Sequence, residues 1–325
     1  MNRLTRRTAL TLAAAALLGA GTAHAQNPSA PLRVILPVGA GSGVDTIIRS
    51  AQTALSKALG GQPVVIENLP GAGGIPGTQA LVKAAPDGNT VAFISNNHAV
   101  NPSVFKSLPY DSLADITPIS VVGGSPFVLV VNPAKVPAKT AKEMQALIKA
   151  KPSQFNMASS GNGTIIHLAG EMFVDALDVQ VQHIPYKGMG PMLTDIISGQ
   201  VEFGVAAVPA AQGHLASGRL KAIGVMGKQR VPSLPDVPTI AEQGFPDVDV
   251  AGWFAMIGPK GLPAAQVKRL HDAVVAAFND AEVKAAMAKQ DNVINPTTPE
   301  AAASFLKTEQ ARYARLVAKA NIKID

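Results

Sequence analysis

Short β-branched runs alternate with helix-period segments along nearly all of this 325-residue chain. The runs LRVIL (32–36), PVVIE (63–67), TVAFIS (90–95) and FVLVV (127–131) read as strands, as do FNMA (155–158), QVQHI (180–184), EFGVA (202–206) and KAIGVM (221–226). Helical spacing fills the intervals near 46–59, 76–84, 140–150, 164–177, 189–198 and 209–217. Parallel strands need a crossover between them, and a helix is the usual crossover. The alternation therefore predicts α/β lobes with parallel sheets and helices on both faces. The series starts over near Gly123-Gly124-Ser125-Pro126, which predicts a second lobe. One more strand, WFAMIG (253–258), is followed only by helical patterns at 263–279, 281–289 and 298–319, with no further strand expected. A lone strand forms no sheet, so it should return to the first one. The boundaries expected are 26–126 plus 252–325 for lobe 1 and 127–251 for lobe 2. The last helix carries Phe305, Leu306, Tyr313, Leu316 and Val317 on one side and should pack against lobe 1. Two lobes joined this way make a cleft, and open α/β sheets bind ligands at the carboxyl ends of their strands.

The first 25 residues stand apart from the fold. Arg3, Arg6 and Arg7 precede the short apolar run ALTLAAAALLGAGTA (9–23), and Ala23-His24-Ala25 has the small-x-small shape of a cleavage site. This predicts a signal peptide, a mature start near Gln26 and a periplasmic location. Arg6-Arg7 with Leu10 suggests twin-arginine export, while Thr8-Ala9 lacks the aromatic residue that route favours, so general secretion stays open. No later stretch is long and apolar enough for a membrane anchor. The absence of cysteine excludes disulfides, thiolate metal sites and cysteine nucleophiles. Losing three leader arginines lowers the formal charge from +6 to +3, too little to argue for nucleic acid.

Three glycine-rich loops fall at strand ends: PVGAGSGVD (37–45), ENLPGAGGIPG (67–77) and ASSGNGT (158–164). Free N–H groups at a helix start offer an anion unpaired donors and the positive end of the helix dipole. A dinucleotide site fits poorly, because Val44 stands where the third glycine of G-x-G-x-x-G belongs and Glu67 lies too far on. A phosphate-binding P-loop fails for want of a lysine. The loops also lack arginine, so an anion would be held by amides and hydroxyls such as Ser42, Ser159, Ser160, Asn162 and Thr164. That equipment suits a small carboxylate better than a polyphosphate.

Catalytic equipment is sparse. His98, His167, His183, His214 and His271 are the histidines beyond the leader. His167 and Glu171 share a helix face at i, i+4 but have no evident third ligand, so no metal site is expected. No G-x-S-x-G elbow surrounds a serine. Asp45 could act as a base, but it reads better as the cap of the helix at Thr46. Lys187 could reach the cleft but reads as a surface lysine. No cofactor and no catalytic residue is expected.

The chain also resembles a known family. The resemblance is carried by PVGAGSGVD (37–45), ENLPGAGGIPGTQALVKAAPDGNT (67–90), NPSVFKSLPYD (101–111), SSGNGTIIHLAGEMF (159–173), HIPYKGMGPMLTDIISGQVEF (183–203), GRLKAIGV (218–225) and SLPDVPTIAEQGFP (233–246). In this order they resemble the Bug receptors, periplasmic substrate-binding proteins related to tripartite tricarboxylate transporters. The resemblance implies two Rossmann-like lobes with a hinge and central cleft, closing on one small carboxylate: an amino acid, a di- or tricarboxylate or an aromatic carboxylate. It places the first binding loop on Val38, Gly39, Ala40, Gly41, Ser42, Gly43 and Asp45. It places the second on Ser159, Ser160, Gly161, Asn162, Gly163 and Thr164, with His167 one turn on. Asn96, Asn97 and His98, at the end of the third strand, should line the same pocket. Two segments depart from the family pattern: Ser42 replaces the second glycine of the first loop's core, and Gly74-Ile75-Pro76-Gly77 stands where Gly-Asn-Ile-Gly is usual. The partners implied are a membrane transporter or a sensor kinase, with a monomeric receptor and no nucleic acid. The alternative is an exported hydrolase using Asp45 or His167.

Overall fold

The computed structural model describes residues 30–319. The expected leader, residues 1–25, lies outside the described residues. The chain runs β1 (Leu32–Leu36), α1 (Gly43–Ala58), β2 (Val64–Asn68), α2 (Ile75–Val82), β3 (Thr90–Ser95), α3 (Asn96–Val104) and β4 (Ile116–Ser125). It continues through β5 (Phe127–Val131), α4 (Ala141–Ala150), β6 (Asn156–Ser159), α5 (Ile165–Ala176), β7 (Gln182–Pro185), α6 (Met189–Ser198), β8 (Phe203–Ala207), α7 (Val208–Ala216) and β9 (Lys221–Val225). It ends with β10 (Gly252–Pro259), α8 (Ala264–Asn279), α9 (Ala281–Ala288), β11 (Val293–Ile294) and α10 (Pro299–Lys319).

Two sheets organise these elements into two lobes. The first has the order β11-β4-β10-β3-β1-β2, the second β7-β6-β8-β5-β9. Strands β2, β1 and β3 are parallel, as are β7, β6 and β8. The wholly parallel sheets expected from the alternation do not form. Strand β10 is antiparallel to β3 and β4, and β5 is antiparallel to β8 and β9. The reason is geometric. Both strands enter their sheet from the cleft, where β3 and β8 end, so they must run the opposite way.

Strand β4 departs most from the sequence reading. Its ITPISVVGGS pattern is interrupted by proline and paired glycines, yet it runs unbroken to Ser125 beside β10. Pro118 sits next to a register shift opposite Met256 and Ile257, where a missing ladder N–H is tolerated. A Cβ on Gly123 would lie 2.1 Å from the Val293 carbonyl, so only glycine lets β11 pair there. That short β11, after β10, is a strand the sequence pattern did not predict.

Burial explains why the other strands were legible. Every residue of β5 (FVLVV) and β8 (FGVAA) is buried, as befits strands covered on both faces. One apolar cluster runs from β5 and β8 through Phe127 and Trp253 to Leu306, Tyr313 and Val317 of α10. A second, built on Leu32, Val34, Ile47, Phe93, Phe254 and Phe278, fills the other face of the first sheet. Helix α10 packs on lobe 1 as its apolar side predicts. Phe305 meets Trp253 edge-on at 5.4 Å, and the Tyr313 hydroxyl accepts from Asn96 Nδ2 at 2.6 Å.

Candidate ligand site

A cavity of about 110 Å³ lies between the lobes at the carboxyl ends of β3 and β8. Five helices begin on it. Ser42, Gly43 and Val44 open α1; Ser95, Asn96 and Asn97 open α3; Ile165 and Ile166 open α5; Met189 opens α6; Ala207 caps α7. A helix start carries a partial positive charge of roughly +0.5, although some of its N–H groups are already used here, Ile165 on Asn97 and Val208 on the Pro126 carbonyl. The site is thus electropositive, although among the described residues no charged side chain lines it. Across it, a Cβ built on Gly43 of lobe 1 would lie 3.7 Å from Ala207 Cβ of lobe 2.

The first loop is shaped from behind by Asp45. The α1 N-cap is Ser42, whose Oγ accepts the Asp45 N–H at 3.3 Å. The Asp45 carboxylate turns away from the cavity. It accepts Gly41 N–H at 2.9 Å, Arg49 Nε at 2.9 Å and Asn68 Nδ2 at 2.9 Å. Burial would push this carboxyl up, but those bonds and the Arg49 charge hold it below the usual range. Asp45 therefore neither caps the helix at Thr46 nor stands as a free base. The glycine loop at 71–77 does not line the cavity either. It buttresses the first loop, since a Cβ on Gly74 would lie 2.6 Å from the Pro37 carbonyl.

The second loop is held by hydroxyls and two histidines. Thr164 caps α5, accepting His167 N–H at 3.3 Å and donating to the Gly161 carbonyl at 2.9 Å. Ser160 Oγ donates to Thr164 Oγ1 at 3.3 Å. His167 Nδ1 accepts Gly163 N–H at 3.2 Å, which leaves the ring proton on Nε2, facing Glu171 at 3.3 Å. The ring stacks on His183 with centroids 3.7 Å apart, and His183 Nε2 lies 2.6 Å from Ser159 Oγ. Burial, then the neighbouring His167, lowers the His183 pKa to about 4. Among the described residues no cluster of three His, Asp or Glu is spaced to hold a metal ion.

Six of the residues expected at the site line the cavity: Val38, Ser42, Gly43, Asn96, Asn97 and Ser160. Gly39, Ala40, Gly41 and Asp45 form the loop behind it, as do Ser159, Gly161, Asn162, Gly163, Thr164 and His167 on the other lobe. His98 is not at the pocket at all. The SNNHA segment leaves the end of β3 at Ser95 and becomes the first turn of α3, so its fourth residue, His98, turns inward. His98 Nε2 donates to the Ser112 carbonyl at 2.7 Å, its ring stacks on Tyr110, and burial lowers its pKa to about 4. Asn96 lines the wall with its polar ends already used, donating to the Ala251 carbonyl and Tyr313 and accepting Trp253 N–H. The apolar walls, Phe127, Ile165, Met189, Trp253 and Phe254, were not foreseen as site residues. Each reads as core in sequence.

Comparison with known proteins agrees with this architecture. The family model "Tripartite tricarboxylate transporter family receptor" matches residues 47–322. Protein BugT of Bordetella pertussis is 34% identical over 299 residues, covering 91% of this chain and 91% of BugT. A solved periplasmic transporter superposes with a TM-score of 0.87 at 36% identity, covering 92% of this chain and 100% of its own. The R. palustris protein Rpa4515, solved with adipate, gives 0.86 at 27% identity, covering 90% and 98%. With two lobes, a cleft at the strand ends and a family match over most of its length, the chain belongs to the tripartite tricarboxylate transporter family receptors, the substrate-binding proteins that include the Bug receptors.

Proposed function

We propose that this protein is a periplasmic receptor that captures a small carboxylate between its lobes and delivers it unchanged to a membrane transporter. The observation that carries the reading is the convergence of helix starts from both lobes on a cavity without charged side chains. Neutral donors on two bodies bind an anion best when the bodies approach, so closure and capture are one event. The adipate in Rpa4515 supports a carboxylate ligand here. Residues 26–126 with 252–325 form one lobe and 127–251 the other. Val38, Ser42, Gly43, Asn97 and Ser160 touch the ligand. Asp45, Thr164 and His167 position the loops. Ligand and protein part with no bond made or broken.

A calorimetric screen of mono-, di- and tricarboxylates tests the reading, with mass spectrometry of the ligand recovered afterwards. Binding of at least one carboxylate, returned intact by the native protein and by His167→Ala, is the expected result. A screen in which no carboxylate binds, or one in which a ligand comes back hydrolysed, overturns it.

A further inference from the structure

The walls of the cavity bear on which carboxylates can enter. Phe127, Met189, Trp253 and Phe254 present apolar surface to it. Several polar atoms of these walls are already engaged by the protein. Trp253 Nε1 donates to Glu309 at 3.0 Å behind the wall. Asn96 spends both ends of its amide on Ala251, Tyr313 and Trp253. The Ser125 hydroxyl donates to Asn292. Asn97 Oδ1 accepts Ile165 N–H at 2.8 Å.

The acids of the region are also out of reach. Asp45 faces Gly41, Arg49 and Asn68, and Glu171 faces His167. Among the described residues, no Asp or Glu side chain lines the cavity. An ammonium group entering here would lose its water, meet no anionic partner and lie among the positive ends of five helices. A carboxylate meets the opposite conditions, and a hydrocarbon body meets apolar walls.

We infer that the pocket selects by rejection: it takes small carboxylates with an apolar body and excludes their α-amino counterparts. This rests on the carboxylate-receptor reading above and narrows its ligand class. The cavity, at about 110 Å³ below the ~150 Å³ that accommodates the six carbons of benzene, suits a body of about four heavy atoms with its charged ends at the helix starts.

Matched pairs that differ only by the ammonium group test the inference: succinate and L-aspartate, glutarate and L-glutamate, adipate and L-2-aminoadipate, 3-phenylpropionate and L-phenylalanine. Each is titrated calorimetrically into protein dialysed free of ligand. The expected result is at least one des-amino acid binding about 100-fold more tightly than its partner, with no amino acid the better of any pair. An amino acid that equals or exceeds its partner overturns the exclusion and leaves the carboxylate receptor standing. Failure of both members of every pair, with no other carboxylate bound in the wider screen, overturns the receptor reading and this inference with it.

Discussion

Asn97 and Ile165 lie on opposite lobes, and the side-chain Oδ1 of Asn97 accepts the backbone N–H of Ile165 at 2.8 Å. The acceptor belongs to the first turn of α3 and the donor to the first turn of α5. The bond spans the cleft at a helix start, where an anion would otherwise be welcome. Asn97 thus joins the two lobes at the edge of the cavity.

Asn97→Ala should weaken carboxylate binding about five- to tenfold, the ~1 kcal/mol of a typical hydrogen bond. Asn97→Asp keeps an acceptor but sets a negative charge where the ligand carboxylate must come. It should cost at least a further tenfold, because like charges oppose each other in a pocket shielded from water. Calorimetry on the two variants decides the matter. Equal affinities would remove Asn97 from the site.

Ser42 and Thr164 cap the helices that open on the cavity from the two lobes. Replacing either by alanine should cost about 1 kcal/mol of stability and lower the melting temperature by about 2–4 °C. Both variants should fold and bind more weakly. Ser42→Ala should lose more affinity, since Ser42 lines the cavity and Thr164 only shapes its loop. Thermal melts and titrations of the same preparations check both halves.

His98 makes stability depend on pH. Its folded pKa lies near 4, below the 6.5 of an exposed histidine, so the folded state resists protonation and the unfolded state does not. The stability is fully present above pH 6.5 and is lost as pH falls toward 4, by up to about 3 kcal/mol, of which about 2 is gone at pH 5. His98→Gln should be less stable than the native protein at pH 7.5. That deficit should shrink by about 2 kcal/mol at pH 5. Urea unfolding at the two pH values measures it, and a constant deficit would mean that His98 does not titrate on unfolding.

Trp253 is the chain's single tryptophan and lies in the cavity wall, 7% exposed, with its N–H on Glu309. Ligand entry should change its emission in proportion to occupancy. Glu309→Gln retains an acceptor and should preserve the response, whereas Glu309→Leu leaves a buried donor unpaired and should destabilise the protein by about 1–3 kcal/mol. Fluorescence titration alongside calorimetry provides the check.

The legible strands were short apolar, β-branched runs such as FVLVV, which need no alternation because both of their faces are covered. The missed parts owe their conformation to neighbours. Strand β4 persists through Pro118 and Gly123 because β10 and β11 pair with it. Helix α3 begins in Asn-Asn-His and contains Pro102, which reads as a loop, but α10 packs along it. At the site, glycine and hydroxyl residues announced the loops. Phe127 and Trp253 did not announce the walls, because a strand residue facing a cleft looks in sequence like one facing a core. Asp45 shows the same limit. Its partners Asn68 and Arg49 come from the next strand and the next helical turn, and only the folded loop shows that the carboxylate points at them.

The place of β10 between β3 and β4 has a consequence for assembly. Everything in the second sheet comes from one unbroken stretch, while the middle of the first waits for a strand that begins at Gly252. A chain that emerges amino end foremost can complete its middle before its beginning. Until the returning segment arrives, β3 and β4 expose unpaired edges, the condition under which nascent proteins stick to one another or recruit a chaperone.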